Sequence, residues 1–507
     1  MLQNRSRLHR FYEILPGALI WATFILVIFL SFSKPIWAII FIIAFDFYWL
    51  IKVLYTLIWL LIGWKKYRKE IKIDWFKKLN ELKLDDCPNK LKSKNYKDYY
   101  HLIFFPTLRE PLEIIDNAFK ALCDAKYDIK KFIVVLSGEE IDAENYWHIA
   151  RKIEEKYKDK FFRLIITMHK IMPGDLQGKG ANMHWAGKHA KKLIDELGID
   201  YEKIIVSNFD VDTCVHPQYY AYLTLKYLTN CDPLHRSYQP VTLYNNNIWE
   251  SPFLIRIVHN STTFWLLTEL VRPERLVTFS SHSMSFQALV DVGFWHRDMV
   301  SEDSRITWQC IAKYDGNYSV EPMHISVSMD TVYSGKLWSS FKGQYKQHRR
   351  WAYGMENFPF IMMNIWNNKK ISFSRRCSYA FRQLEGGFSW ATAPIIIFLL
   401  GILPLHFANQ EVKNTVLAQN APIVLKYLMN SAMIGLVVSA ILSAILLPPR
   451  PKKNSYWTYV IMLAQWIAFP FCMIIFGSIP ATDAQTRLMI GKYMGFNVTE
   501  KGRKNRN

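Results

Sequence analysis

The residues best suited to chemistry are acids that close an apolar run. After Lys203-Ile204-Ile205-Val206-Ser207 come Asp210 and Asp212, separated by one valine. Two carboxylates at i and i+2 can both turn toward one divalent cation. A hard, oxygen-loving ion such as Mg²⁺ or Mn²⁺ there could bridge a diphosphate. Upstream, Gly178-Lys179-Gly180-Ala181-Asn182 combines a tight turn, a cation and a helix start. Free amides at a helix N-terminus suit a phosphate, although the same string also reads as a plain loop. Downstream, Ser301-Glu302-Asp303-Ser304 opens a helical stretch. Its local reading is N-capping by Ser301 or Asp303. Gln347-His348-Arg349-Arg350-Trp351 follows. Arginine forks bind phosphate and indole faces stack on sugar rings or bases; the plainer reading is a basic interfacial helix with a Trp anchor.

The elements that must position these residues alternate. His101–Phe105, Lys131–Leu136, Phe161–Thr167 and Lys203–Ser207 are short apolar runs and read as buried strands. Leu112–Ala125, Ala143–Tyr157 and Ala181–Leu197 have helical spacing. Such alternation predicts a mostly parallel sheet with helices on both faces. Ligands of these sheets bind beyond the carboxyl ends of the strands, where the acids stand.

The ends of the chain are different. Pro16–Ser33 carries no charge and is long enough to cross about 30 Å of hydrocarbon. A signal peptide is excluded by a second apolar stretch, Pro35–Trp64, with no small-residue cleavage site between them. Basic flanks at Asn4–Arg10 and Lys65–Lys69 place both ends of this hairpin in the cytoplasm. Asp46 and Lys52 lie within it. They read as a snorkelling lysine and an acid paired against a neighbouring helix, or as a polar contact in a translocation path. Gly386–Leu405, Ala421–Leu447 and Tyr456–Gly477 are three further spans, and the basic loop Pro448–Lys453 between the last two is expected in the cytoplasm. Three crossings would leave the tail outside. Its Arg487, Lys492, Lys501, Arg503, Lys504 and Arg506 argue for inside, so helix count and charge rule conflict, unless one apolar segment is re-entrant or interfacial.

Across all 507 residues, 63 Lys and Arg against 43 Asp and Glu give a formal +20, which favours anionic neighbours such as lipid headgroups or nucleotide phosphates. Composition excludes disordered, collagen-like and disulfide-scaffold classes. The seven scattered cysteines form no CxxC pair, so neither a zinc site nor a disulfide framework is expected.

The order of these motifs decides what no single one does. A strand-end acid pair, then Ser-Glu-Asp, then Gln-x-x-Arg-Trp, then membrane helices, resembles the membrane-embedded family 2 glycosyltransferases, among them cellulose, chitin and hyaluronan synthases. The likeness covers residues 98 to 385 and the helix arrangement. Phe496-Asn497-Val498-Thr499-Glu500-Lys501 also looks like the FxVTxK gating-loop motif of cellulose synthase, which would make the tail cytoplasmic. The resemblance implies an α/β fold: a GT-A-like nucleotide-sugar-binding domain inserted between N-terminal and C-terminal transmembrane helices. Its divisions are an N-terminal hairpin over 1–64, a cytoplasmic catalytic domain over 65–385, a transmembrane region over 386–480 and a basic tail over 481–507.

The resemblance also implies residue roles. Asp210 and Asp212 match the DxD pair holding the metal and donor diphosphate. Asp303 matches the last acid of the TED-type motif, the general base, with Glu302 beside it able to raise its proton affinity. Gln347, Arg350 and Trp351 match QxxRW, at the diphosphate and the acceptor end. Pro106-Thr107-Leu108-Arg109-Glu110 resembles the first-strand nucleotide segment, with Glu110 as its acid. Lys179 matches the cation of the GGK-like turn, and Thr499 and Lys501 the gating loop. One departure stands out. The second strand ends Leu136-Ser137-Gly138-Glu139-Glu140 where the family has Asp-Asp-Gly, so Glu139 or Glu140 would replace the acid at the base, leaving uridine open as the nucleotide.

The implied activity is inverting transfer from a nucleotide-diphosphate sugar, a UDP-sugar by family habit, to a saccharide or lipid-linked acceptor, by a multi-pass protein of the plasma or inner membrane. Extrusion of a polymer through the helices and single transfer to a lipid both remain open; the gating-like motif and QxxRW favour the first. A homo-oligomer or an accessory export subunit would thicken a channel of so few helices. The rival readings are a catalytically inactive membrane-tethered partner subunit and a basic anionic-ligand-binding protein. No nucleic-acid partner is expected, since no RNA-binding or helix-turn-helix signature occurs.

Overall fold

The computed structural model describes residues 6–83, 88–89, 91–93, 95–452 and 455–495. The Phe496–Lys501 motif, with Thr499 and Lys501, lies outside them.

The expected run of strands and helices is present. Strands β1 (Tyr100–Pro106), β2 (Phe132–Glu139), β3 (Arg163–His169) and β4 (Ile204–Asn208) pair in parallel in the order β3-β2-β1-β4. Their residues alternate into two cores, one on each face. Ile103, Phe105, Val134 and Leu136 pack with the helices Leu112–Cys123 and Ala143–Tyr157. Leu102, Phe104, Ile133 and Val135 face the helix Lys179–Glu196. Both faces are apolar because both are covered.

Four further strands extend this sheet where no apolar run announces them: β5 (Cys214–Val215), β6 (Arg236–Leu243), β7 (His282–Ser285) and β8 (Ser319–Ser328). The full order is β3-β2-β1-β4-β7-β6-β8-β5, with β7 antiparallel to both β4 and β6. The polar strand β7 is buried because its hydroxyls are matched: Ser283 Oγ lies 2.7 Å from Ser207 Oγ and 2.9 Å from the Tyr219 hydroxyl.

Among the described residues five helices are long and apolar enough to cross a membrane: Arg7–Ser33, Pro35–Glu70, Phe373–Phe407, Val416–Ile445 and Trp457–Met489. Three of them run through the expected divisions at 64, 385 and 480, so the α/β unit is continuous with its flanking helices.

The last helix differs from the rest. Near its start the Tyr459 ring meets Trp249 at 5.7 Å, and near its end Asp483 Oδ2 accepts from Arg349 Nη1 at 2.9 Å. Both Trp249 and Arg349 belong to the α/β unit. Both ends of this helix therefore meet the α/β unit. Arg10 Nη1 donates to Leu488 O at 2.7 Å, so the start of the first helix lies there too.

Inside the second helix, Lys52 is not a snorkelling lysine: it pairs with Glu385 of the Phe373 helix and donates to Ser389 Oγ at 3.3 Å. Asp46 is buried, and its Oδ1 finds no hydrogen-bond partner among the described residues, so the expected helix-to-helix pairing belongs to the lysine.

Candidate active site

The carboxyl ends of β1, β2 and β4 open into a cavity of about 1120 Å³. Pro106, Glu110, Glu139, Lys179, Asp210, Asp303, Gln347, Arg350 and Trp351 all line it, although they come from stretches up to 245 residues apart (351 − 106).

Asp210 sits in the turn that closes β4, where Thr213 N–H donates to its carbonyl at 2.9 Å. Its Oδ2 accepts from Ser280 Oγ at 2.8 Å, and its Oδ1 lies 2.7 Å from Lys179 Nζ. Lys179 is the first residue of its helix and points along the strand ends. The helix approaches closely because residue 180 is glycine: a Cβ there would lie 2.7 Å from His296 O. Asn182 Nδ2 then ties the helix to the Ser137 and Gly138 carbonyls at 3.2 Å each.

The same ammonium reaches the second acidic motif. Asp303 Oδ1 accepts from Lys179 Nζ at 2.9 Å and from Asn208 Nδ2 at 2.9 Å, while its Oδ2 lies 3.1 Å from Lys179. The local expectation of a capped helix is overturned here. Ser301 makes no side-chain cap and donates instead to Glu356 Oε1 at 2.7 Å, and Asp303 turns away into the cavity. Glu302 is 1% exposed and neither of its oxygens has a hydrogen-bond partner among the described residues; Lys179 Nζ lies 3.9 Å off.

Electrostatics follow from this crowding. Burial alone would lower the Lys179 ammonium, but the charges of Asp210, Asp303 and Glu302 outweigh it and hold the pKa well above the ordinary lysine value. Burial first, and the Asp303 charge second, raise the Glu302 carboxyl above the usual range, against the pull of Lys179 and Arg350.

Around this centre, Glu110 Oε2 accepts from Thr107 Oγ1 at 2.8 Å and from Leu108 N–H at 2.6 Å, which fixes the loop after β1. Glu139 is buried, with its Oε2 2.9 Å from His169 Nδ1, and His169 Nε2 is 3.1 Å from Asp175 Oδ2. Glu140 is exposed and off the cavity wall, so of the two glutamates Glu139 is the one at hand. Burial pulls the His169 pKa down, yet Glu139 and then Asp175 raise it above the ordinary value on balance. On the opposite wall the helix Leu337–Ala352 presents Gln347, Arg350 and Trp351, with the Trp351 ring 5.7 Å from Phe279.

Asp212 is placed differently from its partner. It is fully buried, does not line the cavity, and its Oδ2 accepts from Asp330 N–H at 2.8 Å. Among the described residues no three Asp, Glu, His or Cys side chains converge into a metal cage. Mg²⁺ commonly takes one or two carboxylates, waters and substrate phosphates rather than such a cage. The cavity-facing Asp210 carboxylate fits that mode, and Asp212 holds the turn behind it.

Asn208, Thr278 and Ser280 also serve the site without a sequence signal of their own. Thr278 donates its hydroxyl to the Asp303 carbonyl, and Asn208 and Ser280 donate to the Asp303 and Asp210 carboxylates. They are ordinary polar residues at strand ends, legible only once the strands flanking β7 are known.

No family model and no curated protein matches this chain. Among solved structures, it is similar to the mannosyltransferase PcManGT from Pyrobaculum calidifontis in complex with GDP-Man and Mn2+, at 14% identity over 84% of this chain and 97% of that one, with a TM-score of 0.45. It is also similar to S. aureus TarS 1-349, at 13% identity over 68% of this chain and 91% of that one, TM-score 0.35. The same TarS fragment in complex with UDP-GlcNAc gives 12% identity, 78% and 94% coverage, and a TM-score of 0.36.

Proposed function

We propose that this chain is a membrane-embedded inverting glycosyltransferase that moves a sugar from a nucleotide-diphosphate sugar to an acceptor hydroxyl. The observation that carries this reading is the meeting of Lys179, Asp210 and Asp303 at the strand ends, in one cavity with Gln347, Arg350 and Trp351.

In this reading Lys179 and Arg350 bind the donor diphosphate, Glu110 and Glu139 shape the nucleoside end, and Trp351 stacks on the acceptor sugar. A divalent cation held through Asp210 would supply further positive charge to the leaving diphosphate. The acceptor oxygen attacks the anomeric carbon, its proton passes to Asp303, and the carbon–oxygen bond to the diphosphate breaks with its electron pair leaving on phosphate. No covalent nucleophile is needed. The donor has a second effect. Its diphosphate competes for Lys179 and so frees Asp303 once substrate is bound.

The flanking helices set the protein in the bilayer. Two hairpins, Arg7–Glu70 and Phe373–Ile445, each leave and return to the α/β unit, while the helix Trp457–Met489 lies against that unit at the membrane surface. Four crossings bring both described ends of the chain to the catalytic side, in accord with the basic flanks and a cytoplasmic domain.

The test is nucleotide-diphosphate release by the detergent-purified chain over a panel of UDP- and GDP-sugars with Mg²⁺ or Mn²⁺ and a lipid extract as acceptor source. Release with one donor, absent in Asp303→Asn, supports the transferase. A folded protein that binds no nucleotide sugar would sink it.

A further inference from the structure

The turn that carries the proposed base is held from outside the cavity. Asp303 is the second residue of the helix Glu302–Lys313, where a carboxylate is drawn back toward the free N–H groups of the helix start. One of those N–H groups, that of Ser301, goes to Glu356 instead. Glu356 Oε1 accepts from Val300 N–H and Ser301 N–H at 3.1 Å each, and from Ser301 Oγ at 2.7 Å. Three donors on one oxygen fix the two residues that precede the helix, with Ser301 at φ −120° and ψ 43°, outside helical geometry.

A second set of bonds grips the same turn after the acids. Arg305 donates Nε to Asn357 Oδ1 at 2.6 Å and Nη2 to the Glu356 carbonyl at 2.9 Å, and Asn357 Nδ2 donates to Ser304 Oγ at 2.9 Å. Residues 356 and 357 thus hold Val300 and Ser301 before the Glu302-Asp303 pair, and Ser304 and Arg305 behind it. Glu356 itself is off the cavity wall, so any effect it has on the reaction passes through another residue.

This strut is rooted among the membrane helices. It follows directly on the helix Leu337–Ala352 that carries Trp351. Gln383 of the helix Phe373–Phe407 donates Nε2 to the Gly354 carbonyl at 3.1 Å. Met355 and Phe358 are buried in one cluster with Phe24 of the first helix and Ala484 of the last. The fit is close, since a Cβ at Gly387 would collide with the Met355 side chain.

We propose that Glu356 is a positioning residue for Asp303. By taking the Val300 and Ser301 donors it keeps the helix start from recapturing the Asp303 carboxylate. It also ties the base to the segment that carries Trp351, so that both are set as one body against the membrane helices. The inference rests on the transferase reading, in which Asp303 takes the proton.

The experiment compares Glu356→Ala, Glu356→Gln, Asp303→Asn and the double variant Glu356→Ala with Asp303→Asn, as full chains in detergent beside wild type. Transfer in Glu356→Ala should fall about 10- to 100-fold, the scale of a misplacement on the order of 1 Å, while donor affinity by titration calorimetry changes less than about threefold. Glu356→Gln keeps an amide oxygen for the three donors and should recover most of the loss. In the Asp303→Asn background, Glu356→Ala should cost almost nothing further, because the group through which Glu356 acts is gone. A merely structural Glu356 gives another pattern: a loss that multiplies in full with that of Asp303→Asn, or donor binding that falls with transfer. Either result overturns the proposal, as does wild-type transfer in Glu356→Ala. If Glu356→Ala does not fold, Ser301→Ala removes one of the three donors and takes its place in the same cycle, with a loss of about three- to tenfold. A cycle in Tm needs no donor: the fall in the double variant should be smaller than the sum of the single falls, because both single changes release Asp303 from Lys179. Coupled Tm values in a chain that transfers no sugar would leave the placement standing and sink the transferase reading. Wild-type transfer with uncoupled rates and Tm values would do the reverse.

Discussion

Lys179 Nζ lies 2.9 Å from Asp303 Oδ1, so the proposed general base is held by a cation 124 residues earlier in the chain. The same ammonium holds Asp210 at 2.7 Å. The proposed donor site and the proposed base are thus joined through one side chain. Asp303→Asn keeps an oxygen for Lys179 but removes the charge paired with it and the ability to take a proton. Transfer should fall by roughly 10²–10⁴, the usual contribution of a positioned base, with donor affinity changed only a few-fold. Nucleotide-diphosphate release and donor titration calorimetry on the same preparation check it. If donor binding is lost together with turnover, Asp303 acts in architecture instead.

Removing the cation should cost stability as well as activity. Lys179→Met leaves Asp210, Asp303 and Glu302, which has no hydrogen-bond partner among the described residues and loses its lysine, facing one another in a buried site. Breaking a buried ion pair from one side costs about 3–5 kcal/mol, so Tm should drop clearly. Adding Asp303→Asn to Lys179→Met should restore part of that loss, because one of the stranded charges is gone. An unchanged Tm in Lys179→Met would show that the acids are solvated or protonated and not dependent on the lysine.

How far the sequence shows this site depends on the distance over which each signal acts. The parallel strands are legible because apolar runs such as Phe132–Leu136 are buried on both faces, and the acid at the end of β4 is legible because strand ends bind ligands. The bonds from Lys179 to residues 31 and 124 positions away leave no local trace. Nor does β7: His282-Ser283-Met284-Ser285 looks like a loop, and only the hydroxyl pairing of Ser283 with Ser207 explains a polar strand in a core. The burial of Asp212 behind Asp210 depends on Asp330, 118 residues later. Hydropathy leaves the placement of the last helix open for another reason. An apolar segment lying along a membrane-facing surface and one crossing the bilayer have the same composition, and contacts such as Tyr459–Trp249 separate them.

The unequal placement of the acid pair yields a contrast. Asp210→Ala should raise the donor KM and flatten the response of rate to Mg²⁺ or Mn²⁺, and EDTA should reduce wild-type turnover more than that of the variant. Asp212→Ala should act first on stability: it strips the Asp330 N–H of its buried acceptor, at about 1–3 kcal/mol. Thermal unfolding beside metal titrations of the rate tells the two apart. Equal metal insensitivity with an unchanged Tm in both variants would return Asp212 to the role of metal ligand.

His169 gives the protein a pH signature. Its folded pKa is raised above the ordinary value of 6.5 because the hydrogen bonds and charges of Glu139 and Asp175 outweigh its burial. A raised folded value means that the stabilisation is present in full below pH 6.5 and fades as pH climbs through the folded pKa on the alkaline side. The difference in Tm between wild type and His169→Gln should therefore be largest in mild acid and shrink toward alkaline pH. A difference that grows with pH would mean that His169 is neutral in the folded protein, with Glu139 free to meet a nucleobase unaided.

Trp351 is the side chain best placed to separate acceptor from donor. Its ring packs against Phe279 at 5.7 Å and His348 at 4.9 Å on the wall of the cavity, and the resemblance of Gln347-x-x-Arg350-Trp351 to QxxRW puts it at the acceptor end. An indole face offers a sugar ring apolar area and little rotational freedom to lose, a contact worth about 1–3 kcal/mol when removed, by analogy with base stacking. Trp351→Ala should thus reduce transfer to acceptor by roughly one to two orders of magnitude while leaving donor hydrolysis by water nearly untouched. Measuring both rates in one assay, as transferred sugar and as free sugar, gives the ratio directly. A fall in hydrolysis equal to the fall in transfer would move Trp351 from the acceptor to the donor, and with it the direction in which the cavity is read.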